Sequence, residues 1–178
     1  MGGAGAYLNR DATTAALATN FTAGSDAITT GDGTISDVTL DPSITLSWSG
    51  LDAAPKKADV SLSVKSDQLN ADYETMYDET GLPVTGQNKT TNGSQDFSNH
   101  FGERSILGAH PGIRASDFAD DEGSGPTETT MTIEVAVSIT DGSTVLATGS
   151  TTTPYVVTVT NQGANLTISG SAGGEVSG

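Results

Sequence analysis

The chain of 178 residues contains no cysteine and only seven lysine and arginine residues, and both shortages exclude classes of function. Without cysteine there is no disulfide framework, no thiolate zinc site and no cysteine nucleophile. Because 22 acidic residues oppose the seven basic ones, the net charge is −15 and no basic surface is available for nucleic acid or an anionic membrane. No apolar run approaches the roughly 18 residues of a membrane span. The sequence therefore predicts no nucleic-acid partner and no membrane-spanning segment.

Hydrophobic residues are also few, at 34% of the chain, and aromatic residues make up 5%. Low hydrophobicity combined with high net charge is typical of disordered chains. The order of the residues argues against disorder, because apolar and polar side chains alternate strictly in residues 43–49, 58–66 and 131–140. A period of two indicates half-buried strands.

This alternation predicts an all-β fold in which two sheets enclose one core. Turn-forming residues separate the strands, and Asp141-Gly142 is a pair that favours a two-residue hairpin turn. The predicted strands are 34–40, 43–49, 58–66, 131–140, 143–149, 153–160 and 165–169. The residues predicted to face the core are Ile44, Leu46, Trp48, Val60, Leu62, Val64, Ile133, Val135, Val137, Tyr155, Val157 and Val159.

The predicted domain organisation is a single sandwich with a terminal segment on each side. Residues 1–30, which precede the predicted strands, are expected to form an N-terminal arm. Residues 31–170 are expected to form the sandwich, with a long irregular insertion at about 70–130 that is rich in Asp, Asn and Gly and lacks a sustained period. The Gly/Ser-rich residues 171–178 are predicted to be a flexible tail.

The sequence contains no recognisable catalytic motif, and we predict that the protein is not an enzyme. Its two histidines, His100 and His110, are too few for a histidine-based zinc site. No cofactor is predicted. Four carboxylates form a candidate calcium site, because hard cations bind oxygen ligands, although the ligand order of an EF-hand is missing and a solvated acidic surface is the alternative. These residues are Asp117, Asp120, Asp121 and Glu122.

The acidity and the sequons both bear on where the protein works. High salt screens the repulsion among like charges, so a net charge of −15 suits a protein of a strongly saline habitat, with a calcium-rich or acidic exterior as the alternative. Asn-x-Ser/Thr triplets are N-glycosylation acceptors in exported proteins. They occur at Asn20, Asn88, Asn92 and Asn165. We expect an extracellular, cell-surface protein whose signal peptide has been removed.

Residues 3–9 read Gly-Ala-Gly-Ala-Tyr-Leu-Asn, and residues 20–24 read Asn-Phe-Thr-Ala-Gly. With these two segments, the first thirty residues resemble the mature start of the TasA/camelysin family. Members of that family begin with a Gly/Ala-Tyr-Phe-x-Asp segment, followed by Thr-Phe-x-Ala-Gly-Thr-Leu-Asp-Leu. Here Leu8 replaces the aromatic residue, and Ser-Asp-Ala-Ile at residues 25–28 replaces the end of the second run.

The resemblance implies a jelly-roll-like sandwich that polymerises into extracellular matrix fibres, like bacterial TasA fibres and archaeal bundling pili. In such fibres the N-terminal segment of one subunit adds a strand to the next subunit, head to tail. The corresponding donor residues here are Ala4, Ala6 and Leu8 on one face and Tyr7 on the other. The surface metalloprotease activity described for camelysins is not implied, because this sequence has no zinc-binding motif.

Three hypotheses of function follow from the sequence. The leading one is a structural subunit of a pilus or biofilm matrix fibre. The second is a monomeric adhesion or carbohydrate-binding module of the cell surface, with residues 70–130 as its recognition surface. The third is a surface hydrolase. The presence of filaments separates the first hypothesis from the other two.

Overall fold

The computed structural model describes residues 16–85, 90–123 and 125–163. Strands dominate this part of the chain, and the sheets curl around one hydrophobic core, which confirms the predicted all-β sandwich. Helix is confined to short segments: one α-helical turn, α1 (Ile106–Ala109), and the 3₁₀ helices Ser98–His100 and Ala115–Phe118.

The smaller of the two main sheets has three antiparallel strands. In spatial order they are β1 (Ala16–Thr22), β4 (Ser43–Ser49) and β7 (Gly93–Asp96). The register of β1 on β4 places Leu17 opposite Trp48 and Phe21 opposite Ile44. A separate short pair joins β3 (Thr39–Leu40) to β8 (Arg104–Ser105). The alternation of buried and exposed residues in β4 gives this sheet one face toward the core.

The larger sheet has five strands. In spatial order they are β2 (Asp26–Thr30), β10 (Val145–Asn161), β9 (Thr127–Thr140), β5 (Lys57–Ser66) and β6 (Ala71–Pro83). Neighbouring strands are antiparallel except β2, which pairs parallel to residues 157–161 of β10. Since β2 covers only this end, the described strands leave residues 146–156 of β10 without a partner on the side away from β9.

The twelve residues predicted to face the core are all buried, each at 3% exposure or less. Alternation along β4, β5, β9 and β10 therefore predicts the register correctly. The core also contains Phe97, Phe101, Ile106 and Phe118, which come from the segment predicted to be an irregular insertion.

Several predicted boundaries are wrong. Residues 16–30, assigned to the arm, contain β1 and β2, which pair with strands of the sandwich itself. The insertion at 70–130 contains β6, a strand of thirteen residues, as well as β7 and β8. Of the predicted strand 34–40 only β3 forms, and the predicted strands 143–149 and 153–160 are one continuous β10. The predicted strand 165–169 and the tail lie outside the described residues.

The β9–β10 hairpin closes with a longer loop than the predicted two-residue turn. Thr140 pairs with Val145, and the Asp141 amide donates to the Thr144 carbonyl at 3.1 Å, so the loop spans residues 141–144. The Asp141 carboxylate accepts hydrogen bonds from the amides of Ser143 and Thr144. These bonds favour the ionised form and lower the pKa of Asp141.

Tyr155 provides a test of core packing by titration. Its hydroxyl donates to the Thr39 carbonyl at 2.6 Å, and burial raises its pKa to about 12 from 10.0, with a further contribution from Asp26. The folded protein therefore holds this proton more tightly than the unfolded chain, and the resulting stability is complete below pH 10 and is lost as the pH rises toward 12. Relative to Tyr155→Phe, the wild type should lose about 2 to 3 kcal/mol of unfolding free energy over that interval.

Urea unfolding of both proteins at a series of pH values measures this difference. The other tyrosines are common to both, so their contributions cancel in the comparison. Equal slopes of unfolding free energy against pH for the two proteins would contradict the prediction.

Candidate functional site

The two strands β1 and β10 contain no charged residue in a strongly acidic molecule, although Glu134 of β9 lies opposite Thr152 of β10. β1 is at the margin of its sheet, and β10 leaves part of its length unpaired among the described strands. Neither strand contains an Asp, Glu, Lys or Arg residue. They are also close together, because the Leu17 carbonyl and side chain lie against the backbone of Gly149. A Cβ on Gly149 would be 3.4 Å from the Leu17 oxygen, which is an ordinary van der Waals distance. We name this feature, β1 together with residues 146–156 of β10, the uncharged margin.

One buried polar group lies on the inner side of the uncharged margin. Thr19 pairs with the buried Leu46, so its side chain faces the core. The Thr19 hydroxyl is enclosed and has no hydrogen-bond partner among the described residues. Buried hydroxyls are normally hydrogen-bonded, so the Thr19 hydroxyl is an exception among the described side chains.

The opposite margin of the large sheet has a different character. β6 contains four acidic residues in thirteen, namely Asp72, Glu74, Asp78 and Glu79. Its pairing with β5 is interrupted by three register shifts. Charges and bulges on an edge strand discourage the addition of another strand. These features therefore protect β6 against pairing with a strand of another molecule.

Aromatic and basic side chains meet along β6. The Tyr77 and Phe101 rings pack edge to face with centroids 4.9 Å apart, and the Arg104 guanidinium lies 4.8 Å from the Tyr77 centroid. Burial is the main cause that raises the pKa of Tyr77. Tyr73, which is 42% exposed, has the Lys65 ammonium 5.3 Å from its ring centroid. These contacts join β6 to β5 and to the segment before α1.

A shallow groove of about 480 Å³ crosses the outer face of the large sheet from β6 to β10. Small side chains leave the space, among them Ser61, Ala136 and Ser150, and Asp59 and Asp78 supply carboxylates. Asp59 is held in place, because its two oxygens accept hydrogen bonds from the Gly81 amide and the Ser138 hydroxyl. The groove offers hydroxyl and carboxylate groups to a polar ligand.

The candidate calcium cluster is separated by the fold into different roles. Asp120 is buried, and its carboxylate accepts from the Thr127 hydroxyl at 2.6 Å and from the Asn161 amide at 2.8 Å. Asp117 accepts from the Arg114 amide at 2.7 Å at the start of a 3₁₀ helix, while Asp121 and Glu122 are exposed. In residues 16–85, 90–123 and 125–163, no group of three or more acidic or histidine side chains is arranged to hold a metal ion. Calcium binding here stays a prediction.

Gly33 completes the Asp120 network and allows its importance to be measured. Its carbonyl accepts from the Asp120 amide at 3.1 Å, its φ is +74°, and a Cβ at this position would collide with the Asp120 carbonyl. Gly33→Ala should lower the free energy of unfolding by about 2 to 4 kcal/mol, from left-handed strain and overpacking together. Gly31→Ala is the control, because a Cβ there meets no atom within 4 Å. Chemical denaturation that finds equal stabilities for the two variants would contradict the prediction.

The two histidines are separated and do not form a common site. His110 is buried, with Nε2 2.9 Å from the Asp72 carbonyl, while Nδ1 accepts from the Gly112 amide at 3.0 Å. The accepting Nδ1 places the ring proton on Nε2, which donates to Asp72. His100 is exposed, and its ring lies beside Phe97. His110 thus joins the segment after α1 to the start of β6.

The sequons and donor residues are only partly within the described chain. Asn20 is exposed on β1, and Asn92 is exposed while its side-chain oxygen accepts from the Gly50 amide at 2.7 Å. Asn88 and Asn165 lie outside the described residues. So do the predicted donor residues Ala4, Ala6, Tyr7 and Leu8.

The sequence predicts a functional role for the N-terminal segment but not for the uncharged margin. The sequence does contain a signal for it, since residues 12–25 and 142–174 are two long stretches without a charged residue in a chain with 29. What the sequence does not reveal is that the fold brings β1 and β10 together.

Comparison with known proteins finds no relative. No protein-family model matches the chain, and neither the curated proteins nor the solved structures include a significant match. Within the described ranges, no helix has the length and apolar character needed to cross a membrane. The geometry of the margins and the sequence are therefore the basis for an assignment of function.

Proposed function

We propose that the protein is a structural subunit of an extracellular filament, a pilus or a biofilm matrix fibre. In this proposal the N-terminal segment of one subunit adds a strand to the sandwich of the next, as the resemblance to TasA-like proteins implies. The observation that carries the proposal is the uncharged margin: strands free of charge along β1 and β10 in a chain of net charge −15.

The electrostatics favour contact through this margin. Two copies with a charge of −15 repel each other, and each carboxylate placed at an interface would add an unpaired, partly desolvated charge. The margin avoids this cost, because its strands present backbone groups, hydroxyls and small apolar side chains. A strand added to a sheet satisfies its backbone groups between molecules.

The N-terminal segment has the complementary properties. Residues 1–9 contain no charged side chain, and residues 2–6 are only glycine and alanine. Small side chains allow a strand to approach a neighbouring subunit closely. A contact between the N-terminal segment of one copy and the margin of another is head to tail, and such contacts generate filaments when they do not close into a ring.

The proposed location is the cell surface of an organism from a saline habitat, after export. The high acidity and the sequons support this location. Asn20 and Asn92 have exposed side chains accessible to a glycan, although Asn20 lies on β1, where a glycan would flank the proposed contact.

Electron microscopy of the purified chain tests the proposal directly. We expect filaments, and we expect more of them as NaCl rises from about 0.1 M to about 3 M, because screening shortens the reach of repulsion between subunits. Sedimentation of polymer at each salt concentration gives the amounts. A chain that stays monomeric across this salt range would refute the filament proposal, whereas filaments in amounts independent of salt would refute only the saline argument.

The second candidate is the monomeric adhesion or carbohydrate-binding module. The groove on the outer face of the large sheet favours it, since hydroxyls and the carboxylates of Asp59 and Asp78 can bind the hydroxyls of a sugar. Binding of soluble glycans by a monomeric protein, abolished by Asp78→Ala, would support this candidate over the filament. Asp78 is the suitable site because it is exposed, whereas Asp59 holds β6 through Gly81.

A further inference from the structure

We infer that the acceptor for the N-terminal segment is the free side of β10, residues 146–156, and that its occupant is residues 2–8 of a second copy. This inference rests on the proposed filament function and names the contact that would build it.

Pro154 reveals which side of β10 carries the free groups. It pairs with Thr132 in the middle of the β9–β10 ladder, yet it has no amide hydrogen to donate. A proline is compatible with a strand when its nitrogen faces away from the partner. The amide and carbonyl of residues with the same parity, Thr148, Ser150 and Thr152, therefore also face away from β9.

Two hydrogen bonds confirm this parity independently. The Gln162 amide donates to the Thr30 carbonyl. This bond shows that the backbone amides and carbonyls of even-numbered residues in β10 and its extension point toward the β2 side. The Lys56 amide donates to the Thr140 carbonyl, so even-numbered residues of β9 face β5 and odd-numbered ones face β10. The backbone amides and carbonyls of odd-numbered residues in β10 therefore point toward β9, and those of even-numbered residues point away from it.

The side chains of these residues lie on the outer face of the sheet, and β1 of the same chain lies against Gly149 but pairs with β4 rather than with β10. Thr148, Ser150, Thr152 and Pro154 are all exposed. β2 occupies the same side of the strand but pairs only from Val157 onward. An added strand would continue the large sheet alongside β2, next to β10.

The other margins are less suited to a second copy. β6 presents four carboxylates and three register shifts, β7 has only four residues, and β2 begins with Asp26. β1 is uncharged, but its seven residues offer a shorter edge than the eleven on the free side of β10. Among the described strands, β10 alone combines freedom from charge with a free side of eleven residues.

The lengths agree. Seven extended residues span about 23 Å at about 3.3 Å per residue, and the free side of β10 spans about 36 Å on the same basis. Residues 9–15 remain to connect the added strand to β1 of its own subunit, a linker of seven residues. A linker of that length can reach about 23 Å when extended.

A proline substitution tests the backbone contact. Ser150→Pro removes one backbone amide that points away from β9 and keeps every hydrogen bond to β9, as Pro154 does in the wild type. Ser150→Ala is the control, because it changes the same side chain and keeps the amide. We expect the proline variant to fold, by circular dichroism and melting temperature, but to lose sedimentable polymer, and the alanine variant to polymerise normally. A folded Ser150→Pro protein that polymerises like the wild type would overturn the inference.

Crosslinking locates the contact and does not depend on the folding of the proline variant. Because the chain has no cysteine, the pair Ala6→Cys with Thr152→Cys can be joined by a short bis-maleimide reagent without background. We expect ladders of covalent oligomers under polymerising conditions. The control pair, Ala6→Cys with Thr80→Cys on β6, should give few.

The outcomes separate this inference from the proposed function. Wild-type filaments with oligomer ladders at position 80 rather than 152 would overturn the acceptor assignment and leave the filament function intact. A crosslink at position 152 within single chains, seen as monomers of altered mobility, would show that the chain fills its own margin and would overturn the second-copy occupant. A wild type without any filaments would refute both.

Discussion

Removal of residues 1–10 should abolish polymerisation and leave a folded β protein. The buried core of the described chain begins at Phe21, and the first described strand, β1, begins at Ala16, so the truncation removes no described strand or core residue. It does remove the segment proposed to add a strand to the neighbouring subunit. Circular dichroism should retain the strand signal, and electron microscopy should find no filaments.

A truncation of the other terminus is the matched control. Deletion of residues 171–178 removes a segment of similar length in which Glu175 is the one charged residue. We expect this deletion to leave polymerisation unchanged. A synthetic peptide of residues 1–10 added to the full-length chain should shorten filaments by competing for the acceptor. Filaments of normal length from the chain without residues 1–10 would refute strand donation by this segment.

The strands of the core could be predicted because burial on one face imposes a visible period. Ile44, Leu46 and Trp48 alternate with polar residues, and the structure buries all three. β6 lacks this signal, since an edge strand with both faces largely exposed needs no alternation and only Ala71 and Leu82 are buried in it. Its acidic sequence therefore resembles a loop.

β10 illustrates a different difficulty. Gly149, the threonines after it and Pro154 are typical of turns, and they suggest two strands where one exists. The strand continues because it pairs with β9 through Gly149 and because the nitrogen of Pro154 faces away from β9. Both reasons depend on the neighbours of β10 in space, which a local sequence pattern does not contain.

The candidate sites could be predicted only in part, because their geometry also depends on residues that are far away in sequence. The acidic run 117–122 suggests a cation site, but Asp120 is buried because Asn161 and Gly33, far away in sequence, supply its partners. The parallel pairing of β2 with β10 joins residues about 130 positions apart and defines where the free side of β10 begins. No periodicity in either segment predicts that pairing.

Trp48→Ala should be the most destabilising single substitution that we predict in the core. The indole is 3% exposed at the centre of the small sheet, where β4 pairs with β1 on one side and β7 on the other. Its Nε1 donates to the Thr90 carbonyl at 2.8 Å. Loss of the ring leaves a large cavity between the sheets, and we expect the free energy of unfolding to fall by about 3 to 5 kcal/mol.

Trp48→Phe separates the contribution of the ring volume from that of the hydrogen bond. Phenylalanine keeps much of the apolar volume and loses the indole donor, so we expect a smaller loss of about 1 to 2 kcal/mol. Urea denaturation of both variants and of the wild type, with similar m-values, gives the comparison. Because Trp48 faces Leu17 of β1, the alanine variant should also loosen the uncharged margin, and polymerisation should weaken more than for Trp48→Phe. Equal stabilities of the alanine and phenylalanine variants would contradict the prediction, because the two sheets would then close over the cavity left by the indole.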